Sequence, residues 1–153
     1  MSEIIDDIDL KILRILQSDS SRSLESISKA VGVSLNTCWR RISRMEKKSI
    51  IEGRVALIDN EKVGLPLTVF VSISTDDHSQ EWTKKLSDVV VSTKEIVEFY
   101  RLAGETDYIF KMMVKNVDHY DRVYKQLIRR VKISDVSASF AMDKIKFTTE
   151  LPI

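Results

Sequence analysis

The 153-residue chain is short of the residue types that build most reactive centres. Its one cysteine, Cys38, cannot form an internal disulfide and fits a reducing compartment. Its two histidines, His78 and His119, lie far from Cys38 and from each other, which leaves little material for a zinc site. No apolar run approaches the roughly 18 residues needed to cross a bilayer. The opening MSEIIDDIDLK is acidic and lacks the basic and long apolar regions of a signal peptide. Glycine-rich phosphate loops, nucleophile elbows and metal-ligand clusters are missing, so no catalytic residue, metal or cofactor is expected. Internal repeats and low-complexity tracts are missing too. These absences predict a cytoplasmic protein that works by binding and is not an enzyme.

What is present is a well-mixed chain, 43% apolar and 31% charged, with enough apolar residues for one ordinary domain or two small ones. The net charge of +1 conceals an uneven distribution. Residues 1–60 hold ten basic and nine acidic residues, and the remainder holds fourteen of each. Within 34–54, however, six basic residues face only Glu46 and Glu52. A basic element in a neutral chain is where a polyanion would bind.

The first third reads as three helices. Asp6 and Asp9 form a candidate capping box ahead of Ile8, Ile12, Ile15 and Leu16, which recur at helical spacing. Ser23 precedes a short helix with Leu24, Ile27 and Val31 on one side, stopped by Gly32. Ser34 then caps a third helix to about Lys48, with Cys38, Ile42 and Met45 turned inward. Helix, glycine-containing turn and basic helix is the helix-turn-helix pattern. The apolar stretch Ile50–Ile58 around Gly53 suits a short two-stranded wing. The expected boundaries are a winged helix-turn-helix over 1–58, a linker over 59–66 carrying Gly64 and Pro66, and an α/β domain over 67–153.

In that second domain, strands are expected at Leu67–Ser74, about Glu95–Leu102, Tyr108–Val114 and from Val136 onward. Helices are expected after Ser79 and around Tyr120–Ile128. The order βαββαβ is the ferredoxin-like split arrangement, so the fold class is α+β. One face of such a sheet is left open with apolar residues on it, which argues for pairing with a second copy.

With Cys38, Ile42 and Met45 inward, the third helix leaves Asn36, Thr37, Arg40, Arg41, Arg44 and Lys47 on its remaining arc. Asn pairs bidentately with adenine and Arg with guanine, while further Arg and Lys residues hold phosphates. Ser34 and the free amides beside it offer one more phosphate contact. The alternative is a solvated basic face. Trp39, beside the inward stripe, is expected to pack against the first helix or a partner subunit rather than to act as a base-stacking wedge. Cys38 is expected to be an inert buried thiol, a redox role requiring exposure and a lowered pKa. Gly104, Glu105, Thr106 and Asp107 form either a plain hairpin turn or a site for a small amino acid. In the second reading, backbone amides hold its carboxylate and Asp107 its ammonium group. Ser137 and Ser139 would complete that pocket or simply face solvent. His78 and His119 are expected in capping or surface roles.

Several spaced motifs, in order, are similar to the Lrp/AsnC family of "feast/famine" transcriptional regulators. They are Asp6–Leu13, Leu16–Asp19, Ala30–Ser34, Cys38–Ile42, Ile51-Glu52-Gly53, Gly64-Leu65 and Ala103–Tyr108. The likeness spans nearly the whole chain. It implies sequence-specific binding to double-stranded DNA and an amino-acid-sensing C-terminal domain. It also implies homodimers through the C-terminal sheet, octamers that wrap DNA, an association with the nucleoid, and effectors bound near Gly104–Asp107. His78–Trp82, Ser137–Met142 and Ile145–Ile153 look like a cysteine-responsive subgroup, which points to cysteine as the effector. Where many members carry Thr, this chain has Ala138, so a hydroxyl contact there is absent or moved to Ser137 or Ser139. The competing reading is an architectural DNA-binding protein without an effector.

Overall fold

Each helix of the computed structural model, which describes residues 5–153, starts at a side chain that accepts a hydrogen bond from its own first turn. The helices are α1 (Asp7–Ser18), α2 (Leu24–Val31), α3 (Leu35–Lys47), α4 (Gln80–Val91) and α5 (Val117–Arg130), capped by Asp6, Ser23, Ser34, Ser79 and Asn116. Such caps satisfy amide groups that the helix itself leaves unpaired. At α1 the arrangement is reciprocal: the Asp9 amide donates to Asp6 Oδ1 at 2.9 Å and the Asp6 amide to Asp9 Oδ2 at 3.3 Å. Gly32 ends α2 at φ 73°, a left-handed conformation that side chains rarely adopt.

The chain divides into two compact units. The first runs through Leu57 and also takes back Lys146–Ile153. Its core is Ile12, Leu16, Ile27, Cys38, Ile42 and Met45, one stripe from each of α1–α3. Residues 50–58 form no strand, so the two-stranded wing expected there is not built. The final residues lie along α1 instead: Gln17 exchanges hydrogen bonds with Leu151 (Nε2 to the carbonyl 2.9 Å, amide to Oε1 3.0 Å), and Arg14 Nε donates to the Ile153 carbonyl at 2.6 Å. The units divide after Leu57. The tail, expected with the second domain, groups with the first.

The second unit, Ile58–Ile145, holds a four-stranded antiparallel sheet of β1 (Leu67–Ser74), β2 (Ile96–Arg101), β3 (Tyr108–Val114) and β4 (Asp135–Phe140), in the order β2-β3-β1-β4. Val69, Val71 and Ile73 alternate with Phe110, Met112 and Val114 toward α4 and α5, which contribute Trp82, Leu86, Val89, Val123 and Leu127. The Trp82 indole N–H donates to the Lys132 carbonyl at 2.7 Å, so the one polar atom of this core ring is satisfied. The opposite face carries Phe70, Ser72, Lys111, Ser137 and Ser139 from neighbouring strands.

Candidate nucleic-acid interface and effector loop

The Ser34 hydroxyl both caps α3, accepting from the Thr37 amide at 3.1 Å, and donates to Thr37 Oγ1 at 2.8 Å. Beyond this cap the expected arc divides in two. Asn36, Arg40 and Lys47 are exposed along one side of α3. Arg41 and Arg44 instead turn toward the start of α1. Arg41 Nη1 contacts Asp6 Oδ2 at 2.7 Å and Asp9 Oδ1 at 2.9 Å, and Arg44 Nη2 donates to Asp9 Oδ2. Asp9 has no exposed surface, so its charge depends on these guanidinium groups. The amide of Asp9 first, then Arg41, holds the Asp6 carboxyl below the usual carboxylate range, and the Asp6 and Asp9 bonds raise Arg41 further. The seven residues expected to meet DNA thus comprise Ser34, Asn36, Thr37, Arg40 and Lys47 at or beside the open face, and two arginines engaged in fixing α3 to α1.

Two side chains of α3 lie at opposite extremes of exposure. Trp39 is 57% exposed and does not pack into the α1–α3 core; its row is shared by exposed Leu35. The helical stripe does not separate these cases, because Trp39, about 100° from Cys38 on the wheel, lies at the edge of the inward arc on the Ile42 side. Cys38 has no exposed surface, and burial pushes its thiol up, which removes both requirements for a redox switch.

In the second unit, the turn between β2 and β3 is pinned to the end of β1. The Asp107 amide donates to the Ile73 carbonyl at 3.1 Å, Ser74 Oγ to the Glu105 carbonyl at 3.3 Å, and the Thr75 amide to Asp107 Oδ2 at 2.8 Å. The second oxygen, Oδ1, lies 3.9 Å from His78 Nδ1. One oxygen of Asp107 is therefore already spent on the backbone. Gly104, at φ 151°, and Glu105 are exposed, and Thr106 is half-buried. Ser74 lies opposite Asp135 on β4, Ser72 opposite Ser137 and Phe70 opposite Ser139. At about 7 Å per two residues of strand, Ser137 is one row from the turn and Ser139 two. The structure thus brings Gly104–Asp107 together with Ser137 more closely than with Ser139.

His119 has a local role: its Nδ1 accepts from the Lys115 amide at 3.3 Å, which leaves Nε2–H to donate to Glu95 Oε1 at 3.1 Å.

Residues 5–46 match the AsnC-type helix-turn-helix domain, and residues 68–151 match the Lrp/AsnC ligand binding domain. The DNA-binding transcriptional activator DecR of Escherichia coli K12 is 45% identical, over 98% of this chain and 99% of its own length. An AsnC family transcriptional regulator from Agrobacterium tumefaciens, known from its crystal structure, superimposes with a TM-score of 0.92 at 50% identity over 96% of each chain. A transcriptional regulator of Neisseria meningitidis, solved as its complex with L-Met, superimposes with a TM-score of 0.91 at 28% identity over 97% of each chain.

Proposed function

The chain belongs to the Lrp/AsnC family of DNA-binding transcriptional regulators, and on that premise we propose that α3 enters the major groove with Ser34, Asn36, Thr37, Arg40 and Lys47 at the duplex, while a small amino acid bound beside Gly104–Asp107 sets operator affinity or assembly. The observation that carries this reading is the division of α3's cations. Arg41 and Arg44 lock the helix to α1, and Arg40 and Lys47 remain on the side where Asn36 also stands. A helix fixed from behind presents its front side chains in one register, as base readout requires.

The effector reading draws on the ligand-binding domain match and on the L-Met complex of the meningococcal relative. Backbone amides of the exposed turn at Gly104 would meet the ligand's carboxylate, and Asp107 Oδ1 with Ser137 its ammonium group. Cysteine is the first candidate, from the subgroup likeness. The partly apolar open face of the sheet, with Phe70 40% exposed, suits a second copy, so dimers and their further association are the assembly an effector would shift.

Two measurements on the full chain test the reading. Duplex affinity followed against salt should lose about 0.9 of log–log slope in Arg40→Ala for each phosphate contact removed. An unchanged slope in both Arg40→Ala and Lys47→Ala would move the DNA surface elsewhere. Thermal unfolding against each of the twenty amino acids should show a selective shift, since a ligand at 100 times its Kd adds about 2.7 kcal/mol. No shift from any of them would favour the architectural, effector-free reading.

A further inference from the structure

Two large apolar side chains stand in the open on the helix that carries the basic face. Leu35 is 52% and Trp39 57% exposed. Four residues apart, they form one row along α3, and Asn36 and Arg40, each one residue further on, form the row beside it. All four occupy the first two turns, the part of a recognition helix that meets base edges. Trp39 is also one wall of a cleft of about 240 Å³ whose border includes Arg22 and Arg54. Glu46, on the same border, is paired with Arg54 at 2.9 Å, so the surroundings of the indole are not anionic. An apolar row flanked by cations suits a polyanion that offers apolar groups, and an apolar protein surface would gain nothing from those cations.

Duplex DNA has such groups. In the major groove thymine alone presents a methyl, next to acceptors and donors that Asn and Arg read. We infer that Leu35 and Trp39 read thymine 5-methyl groups, so that α3 uses an apolar row and a hydrogen-bonding row in parallel. The inference rests on the DNA-binding reading of α3. It adds to that reading the base type these two residues select, and it makes them specificity-determining residues.

The probe is the set of duplexes that the full chain enriches from a random thymine-containing pool, remade with deoxyuridine at single thymine positions. Each replacement deletes one methyl and keeps base pairing. At contacted positions the parent should bind about fourfold more weakly, the value of one buried methyl group. Trp39→Ala, or Leu35→Ala at its own positions, should show no such penalty, and Trp39→Leu should keep part of it. Both residues are exposed, so these variants should fold. Acrylamide should quench Trp39 emission in the DNA-free assembly, with Trp39→Phe supplying the Trp82 background, and an enriched duplex should protect it. Equal thymine-to-uracil penalties in the parent and both alanine variants would overturn the inference. So would a Trp39 already shielded without DNA, because protein would then cover the row. Either result together with salt-dependent duplex binding sinks only this inference. Failure of the parent to bind any duplex would sink the DNA-binding reading as well.

Discussion

Asp9 has the most demanding position of any single residue described in the first unit. Its carboxylate is fully buried and contacts Arg41 at 2.9 Å and also Arg44. Taking an ion out of water costs several kcal/mol, which this pair of guanidinium groups and the Asp6 amide offset. The Nε atoms of Arg41 and Arg44 are buried without a hydrogen-bond partner, so the network has no spare acceptors to lose. Asp9→Ala should therefore destabilise the first unit by about 3–5 kcal/mol in urea unfolding, with Asp9→Asn closer to the parent because its amide oxygen still accepts. An Asp9→Ala protein within 1 kcal/mol of the parent would show that the arginines reach water at little cost, and the account of α3 as locked from behind would fall with it.

At the scale of the element, Ser34 combines a stabilising task with a proposed binding task, and a substitution can separate the two. Its hydroxyl caps α3, and losing a cap costs about 0.5–2 kcal/mol. Aspartate caps as well as serine does and favours the positive end of the helix, yet it places a negative charge where a phosphate is proposed to sit. Ser34→Asp should keep or raise the unfolding midpoint and weaken duplex binding at least tenfold, while Ser34→Ala should lower the midpoint. Undiminished binding by Ser34→Asp would remove this cap from the interface. The helices and their caps were legible in the sequence because both signals are local: a polar residue, then apolar residues three and four apart. The wing was not. Apolar residues around Gly53 fit an extended segment, but a strand also needs a partner, and residues 50–58 have none among the described residues. Nor could spacing reveal that Arg41 and Arg44 turn away from the basic arc, since the carboxylate that draws them lies 32 and 35 positions earlier.

The same limit governs the molecule as a whole. The strands and helices of the second unit were legible from local pattern, but nothing local to residues 146–153 indicated that they leave the second unit for the first. That return is held by backbone atoms of Leu151 and Ile153, which almost any residues could supply; the recognisable partners, Arg14 and Gln17, read as an ordinary solvent face of α1. The first unit is small, with a core of six buried apolar residues among those described, so contacts along α1 weigh more in it than they would in a larger domain. Deleting 146–153 from the full chain should lower the stability of the first unit by about 1.5–4.5 kcal/mol, at roughly 0.5–1.5 kcal/mol for each of the three hydrogen bonds lost. Amide exchange in α1–α3 would report this as faster exchange, and Trp82 emission in a Trp39→Phe background would show the second unit's unfolding midpoint unchanged. Because Gln17 makes two of the three hydrogen bonds to the tail, Gln17→Ala alone should reproduce part of the loss. If exchange in α1 is the same with and without the tail, those hydrogen bonds merely replace equivalent ones to water, and the stability of the first unit resides in its core alone.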